Sequence, residues 1–212
     1  MFLNKINDQF KFRKIRDFHV QQIADIISRY DSEWYIDTTR QDHSKLLAGV
    51  HQMTVSYKLI THRLQWCPGD SYSPVFVCKD EQLWTYVEPI IKNLETIYSG
   101  KVSRATLVNL PSNKLVFPHH DYFVYPNLVH RIHIPIITND NVFFSVDDVT
   151  KNLKMGQAWE VNNARLHGCY NLGDTDRVHL MIDIIPEHLI GNNEIICLDD
   201  ENVKEDEKNI IT

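Results

Sequence analysis

The sequence predicts an α+β fold, mainly β, in which helices come first and a sandwich or barrel of strands follows. Three observations carry this. Two segments with helical spacing lie before residue 101, short apolar or alternating runs follow it, and turn-forming residues separate those runs.

The first helix is expected over Phe18 to Tyr30. Val20, Ile23, Ala24, Ile26, Ile27 and Tyr30 recur at helical spacing, and Asp17 stands where an N-cap belongs. The second runs from about Asp80 to Tyr98, with Leu83, Trp84, Val87, Ile90, Ile91, Leu94, Ile97 and Tyr98 as its apolar set. Pro89 predicts a kink or a break inside it, and Ser99-Gly100 ends it. Both helices read as amphipathic cover for a sheet.

From Lys101 onward the strand-like runs are Ala105–Leu110, Leu115–Phe117, Val129–Ile137, Val142–Val146, Ala158–Val161 and Arg177–Ile184. The breaks include Pro111-Ser112-Asn113, Asn139-Asp140-Asn141, Met155-Gly156 and Leu172-Gly173-Asp174. A chain of 212 residues with 43% hydrophobic content fits one domain with a sizeable core. That domain is expected over residues 1–198, as a helical part (1–100) and a strand core (101–186), followed by a charged, frayed tail (199–212).

Composition also excludes. A net charge of −6 offers no basic face for nucleic acid. Nowhere is there an apolar run long enough to span a bilayer, and MFLNKINDQFKFRKI lacks the apolar core of a signal peptide. Cys67, Cys78, Cys169 and Cys197 form no CxxC pair, so reduced thiols and a cytoplasmic location are expected.

Strand geometry points to a metal site. In an extended segment residues i and i+2 share a face, so His119 and Asp121 project together and His120 turns away. An imidazole and a carboxylate on one face are two thirds of the facial triad that holds iron(II) with positions left open. His167, which lies 46 positions after Asp121 beyond the turn-like Asn162-Asn163, is the best third ligand. Taken alone His-x-Asp is weak, because 11 histidines and 28 acidic residues produce such pairs by chance.

Two strands strengthen the case. Ile132, Ile134 and Ile136 share one face while Arg131 and His133 share the other. Val178, Leu180, Ile182 and Ile184 likewise oppose Arg177, His179, Met181 and Asp183. The polar faces either meet solvent or line a site, and arginine suits a bidentate grip on a carboxylate. His179 lines the lumen or satisfies a buried neighbour. Trp159 reads as core or site wall, Asp147-Asp148 as a solvated turn, and His120 and His130 as surface or packing residues.

The motifs His119-His120-Asp121, Arg131-Ile132-His133-Ile134-Pro135, Gly156-Gln157-Ala158-Trp159-Glu160, His167 and Arg177-Val178-His179-Leu180 occur in order and in spacing. In these the chain resembles the aspartyl/asparaginyl β-hydroxylase family of iron(II)- and 2-oxoglutarate-dependent oxygenases, and shares much with bacterial proline hydroxylases. The resemblance covers roughly residues 34–186, more weakly in Arg40-Gln41 and His51-Gln52-Met53-Thr54. It implies a double-stranded β-helix core (jelly-roll, cupin-like) with helices on one face. It also implies that His119, Asp121 and His167 hold iron, that Arg177 binds the distal carboxylate of 2-oxoglutarate, and that Arg131 and His133 contact the co-substrate's other end or its neighbourhood.

Some family members lack the carboxylate ligand. Asp121 makes this a three-ligand chain, nearer the small bacterial amino-acid hydroxylases. The activity so implied uses 2-oxoglutarate and O2 to hydroxylate an unactivated carbon of an amino-acid-like small molecule, releasing succinate and CO2. An Asp or Asn side chain in a peptide or protein is the alternative substrate. A cupin-like sensor that binds metal and ligand without turnover is the alternative of another class, and it would not need Arg177 ten residues after His167. Arg40, Gln41, His51 and Thr54 are the expected substrate contacts. Arg40 is either a carboxylate partner or a surface salt bridge, and His51 and Thr54 either touch substrate or make structural hydrogen bonds. Oligomeric state leaves no mark in the sequence.

Overall fold

A computed structural model describes residues 10–30, 56–60, 80–121 and 128–189. The tail over 199–212, the residues Arg40, Gln41, His51 and Thr54, and the thiols Cys67, Cys78 and Cys197 lie outside the described residues.

The strands are β1 (Phe12–Asp17), β2 (Ser56–Ile60), β3 (Gly100–Leu110), β4 (Lys114–His119), β5 (His130–Ile137), β6 (Val142–Val146), β7 (Val149–Lys151), β8 (Gln157–Val161), β9 (His167–Asn171) and β10 (Arg177–Pro186). They form a six-stranded sheet in the order β1-β8-β5-β10-β3-β2 and a four-stranded sheet in the order β4-β9-β6-β7. All the strand pairs are antiparallel. Two antiparallel sheets with crossovers between non-consecutive strands make a jelly-roll core.

Two helices, α1 (Gln21–Ile27) and α2 (Glu81–Tyr98), cover the outer face of the large sheet. Ile23, Ile27, Leu83, Val87 and Leu94 from the helices meet Ile132, Ile134, Ile136, Val178, Leu180 and Ile182 from β5 and β10 in one buried cluster. Each such side chain contributes about 1.5–3 kcal/mol by leaving water. A smaller cluster of Leu110, Phe144, Val146, Leu153, Val161 and Cys169 fills part of the space between the sheets. The alternation on β5 and β10 thus resolves as apolar residues under the helices and polar residues facing the other sheet.

The first helix starts later than its periodicity suggests. Residues 12–17 pair with β8, Asp17 standing opposite Gln157, so the chain is still extended at Asp17. Asp17 is therefore not the N-cap. Val20 occupies that position without a side-chain hydrogen bond, and Asp17 pairs with Lys14 at 3.0 Å. Sequence periodicity misses β1 because Arg13, Lys14 and Arg16 make it a charged edge strand.

The second helix follows expectation more closely. Asp80 caps it, its Oδ1 accepting from the Leu83 N–H at 2.9 Å. The helix continues through Pro89 without a break, and Ser99 ends it in the left-handed conformation at φ 45°. On the helix-facing side of the sheet, Glu160 from β8 accepts from Tyr98 Oη at 3.1 Å and lies 2.7 Å from His130 Nδ1. Arg13 completes this cluster at 3.3 Å, which ties α2, β1 and β5 to β8. His130 therefore faces away from the polar interior, as strand alternation requires. Gly156 is demanded by its turn. Its φ is +77°, and a Cβ there would sit 2.3 Å from the Phe18 carbonyl oxygen.

Candidate metal centre

His119 closes β4 and Asp121 follows two residues later, while His167 opens β9. In the β4–β9 pairing His119 stands opposite His167, after an irregularity in register between Val116 and His119. The imidazole centroids are 4.3 Å apart. Gly168 permits this closeness, because a Cβ there would meet the Val116 carbonyl oxygen at 2.9 Å and Pro118 N at 3.1 Å. One ligand atom from each of His119, Asp121 and His167 lies within 4.8 Å of the others. His120 turns away, its Nδ1 lying 3.2 Å from the Ala164 carbonyl.

The donor atoms are prepared for a cation. His119 Nδ1 donates to the Phe117 carbonyl at 2.8 Å, and His167 Nδ1 donates to the Arg165 carbonyl at 2.9 Å. A carbonyl only accepts, so Nδ1 carries a proton and Nε2 is the nitrogen whose lone pair can serve a metal. Those Nε2 atoms face Asp121, at 3.7 Å from Oδ1 for His119 and 4.0 Å from Oδ2 for His167. Burial pulls the His167 pKa down to about 4, so the ring is neutral at ordinary pH. Burial acts on the Asp121 carboxyl in the opposite sense, but the Arg131 guanidinium, with help from Asn163, outweighs it and holds the pKa at about 2. One carboxylate and two imidazoles form a donor set that fits iron(II).

A shell supports Asp121. Its Oδ2 accepts from Arg131 Nη1 at 2.5 Å and from Asn163 Nδ2 at 2.9 Å, and its N–H donates to the Asn163 carbonyl at 3.2 Å. Arg131 also forks onto Asp183, Nε to Oδ1 at 2.8 Å and Nη2 to Oδ2 at 3.0 Å. The structure thus sets Arg131 against a ligand carboxylate. Asn163, Asp183 and Gly168 escape the sequence reading. For Asp183 the signal is there, since it shares the polar face of its strand with Arg177 and His179.

Arg177 opens β10 and is 3% exposed. Its Nη2 donates to Cys169 Sγ at 3.0 Å, its Nε makes no hydrogen bond, and no carboxylate pairs with it among the described residues. Cys169 lies two residues along β9 from His167, on the same face and about 7 Å away along the strand. His133 and His179 lie nearby, with Nδ1 atoms 3.5 Å apart, and burial lowers both pKa values well below the usual histidine range. Phe144 stands between His133 and His167, at 5.1 Å and 6.4 Å between ring centroids. His179 Nε2 and Thr106 Oγ1 have no hydrogen-bond partner among the described residues. A buried guanidinium with no counter-anion among the described residues, next to polar atoms also without partners among them, is a costly arrangement that an anionic ligand would relieve.

The family model for aspartyl/asparaginyl β-hydroxylases matches residues 79–186, more than half of the chain. The chain belongs to that family. Among curated proteins it is similar to the L-proline cis-4-hydroxylase of Rhizobium meliloti strain 1021, at 27% identity over 106 residues, covering 48% of this chain and 38% of that protein. It is also similar to L-proline cis-3-hydroxylase 1 of a Streptomyces species, at 24% identity over 115 residues, covering 53% of this chain and 39% of that protein. The chain therefore spans under two fifths of the length of each. In fold it is similar to the viral collagen prolyl hydroxylase of Paramecium bursaria Chlorella virus-1, solved as a 2-oxoglutarate complex. There the TM-score is 0.52 at 6% identity, over 84% of this chain and 97% of that one. The matched span includes all three residues of the candidate metal centre, Arg131 and Arg177.

Proposed function

We propose that the protein is an iron(II)- and 2-oxoglutarate-dependent dioxygenase that hydroxylates an unactivated carbon of an amino acid or amino-acid-like substrate in the cytoplasm. The observation that carries this is Arg177. Its buried guanidinium lacks a carboxylate partner among the described residues and touches the strand that presents His167, two residues farther along. A 2-oxo-dicarboxylate offers groups for both ends of that arrangement, a chelating oxo-acid for the metal and a distal carboxylate for Arg177.

His119, Asp121 and His167 would hold the iron. When bound, it supplies the oxidising chemistry that couples decarboxylation of 2-oxoglutarate to hydroxylation, with succinate and CO2 as products. The protein's own residues supply position. Arg177 orients the co-substrate through a charge it cannot lose, and the neutral His133 and His179 line its surroundings without adding a competing cation. Phe144 and Cys169 limit water beside that binding site.

The substrate reading rests on two supports. The curated relatives are named for L-proline hydroxylation, and Asp121 gives the candidate centre three ligands, like the small bacterial hydroxylases that the chain resembles. Arg40, Gln41, His51 and Thr54 are proposed to hold the substrate's carboxylate and ammonium groups, since either charge buried alone is costly. Arg40→Ala should then weaken substrate binding while iron and 2-oxoglutarate affinity stay unchanged, measured by separate titrations.

The activity is tested by succinate formation under iron(II), ascorbate and 2-oxoglutarate, against free amino acids including proline and against Asp- and Asn-containing peptides. Turnover with free amino acids supports the proposal. Preference for a peptide shifts the substrate class. Ligand binding with no succinate across the panel makes the protein a sensor.

A further inference from the structure

Asp183 is completely buried at the centre of β10, and its cross-strand neighbours are Arg104 on β3 and Arg131 on β5. Both arginines bond it. Arg104 gives Nε and Nη2 to Oδ2 at 3.1 and 2.7 Å, and Arg131 gives Nε to Oδ1 and Nη2 to Oδ2. This places cation, anion and cation in a row across three strands. Asp121 continues the row, bonded by Nη1 of Arg131.

The geometry of the fork matters more than its charge. A guanidinium facing a lone carboxylate tends to bind it through two parallel N–H groups, engaging both oxygens. Here the Nε/Nη2 edge of Arg131 is already taken by Asp183. Only Nη1 reaches Asp121, and it lands on Oδ2, the oxygen that Asn163 also bonds. Oδ1, the oxygen 3.7 Å from His119 Nε2, takes part in neither bond. We propose that Asp183 is a positioning residue of the metal centre. By holding the Nε/Nη2 edge of Arg131 it fixes the guanidinium in the orientation that brings only Nη1 to Asp121, at Oδ2, and so keeps the other oxygen available as a ligand. This inference rests on the reading of His119, Asp121 and His167 as the metal site.

Cobalt(II) titration of the metal-free protein, read by visible d–d absorption, tests it without turnover. Outer-shell partners of metal ligands typically carry about 10–100-fold in affinity. Asp183→Asn should weaken cobalt binding by that order. In an Arg131→Gln background the same change should alter the affinity less than about threefold, because Asp183 acts only through Arg131. Equal losses in both backgrounds would mean a general structural role and overturn the proposal, as would cobalt binding by Asp183→Asn indistinguishable from the unaltered protein.

Should Asp183→Asn not fold, Arg131→Lys carries the test. It keeps a cation near Asp121 but cannot span both carboxylates, so it should also lose about tenfold; unchanged cobalt affinity overturns the proposal. His167→Ala separates this idea from the underlying one. If that variant keeps the cobalt spectrum, the metal-site reading itself fails, whatever the Asp183 variants do.

Discussion

At the scale of single residues, the two histidines of the candidate centre are set up by hydrogen bonds to backbone close by in the chain. Each Nδ1 donates to a carbonyl two residues earlier, which orients the ring and leaves Nε2 for a metal. Replacing either should remove a ligand that no neighbour can replace. His119→Ala and His167→Ala are therefore expected to abolish succinate formation and to lose stoichiometric iron(II) binding, checked by metal analysis after gel filtration. Full iron-dependent activity in both variants would refute the assignment. Arg177 makes a different contribution. Arg177→Lys replaces a planar fork with a point charge, at a cost of about 1–3 kcal/mol. The KM for 2-oxoglutarate should rise roughly 5- to 150-fold. An unchanged KM and kcat would remove Arg177 from the site.

At the scale of elements, α2 depends on its first residue. The Asp80 carboxylate accepts from the Leu83 N–H and from Tyr30 Oη at 2.7 Å, joining the start of α2 to the segment after α1. Burial works to raise its pKa, but these hydrogen bonds outweigh it and hold the group below 3.8. A carboxyl depressed in the folded state stabilises above its unfolded pKa, and that contribution is lost as pH falls through the folded value. Asp80→Ala should lower stability by about 1 kcal/mol at neutral pH. Asp80→Asn, which still caps but cannot titrate, should instead lose less stability in acid. Urea denaturation at pH 7 and below pH 4 distinguishes the two, and identical acid dependence in Asp80→Asn and the unaltered protein would remove Asp80 from that role.

The same scale shows where sequence reading reaches its limit. β5 and β10 are legible because isoleucine and valine alternate with charged residues on strands covered by helices on one side. β9, His-Gly-Cys-Tyr-Asn, shows no such alternation, since its glycine serves close approach to β4 and its histidine serves the site. β1 is concealed by its charges, and β7 is only three residues long. Asp17 looks like a helix cap until pairing with β8 keeps it extended, a choice made by long-range hydrogen bonds.

At the scale of the whole molecule, the sheets enclose Arg177 and His179, whose Nε2 has no hydrogen-bond partner among the described residues. A ligand that binds only the folded protein stabilises it by mass action, about 2.7 kcal/mol at a hundred times its Kd. For a chain of this size that corresponds to roughly 5–10 °C in Tm. Adding 2-oxoglutarate to the protein loaded with redox-silent nickel(II) should raise Tm by that order, and the rise should vanish in Arg177→Ala. A rise that persists in Arg177→Ala would show that the co-substrate is held elsewhere.

The sequence by itself determined the layering of helices over strands, the apolar faces of β5 and β10, and the shared face of His119 and Asp121, because all of these follow from periods of two or 3.6 residues along one chain. Only the tertiary structure decided that His119 stands opposite His167, that Gly168 lets their strands approach, and that Arg131 turns to Asp121 and Asp183. Those relations depend on strand register between segments far apart in sequence. Register is set by the summed pairing and burial of whole sheets, which no local pattern encodes.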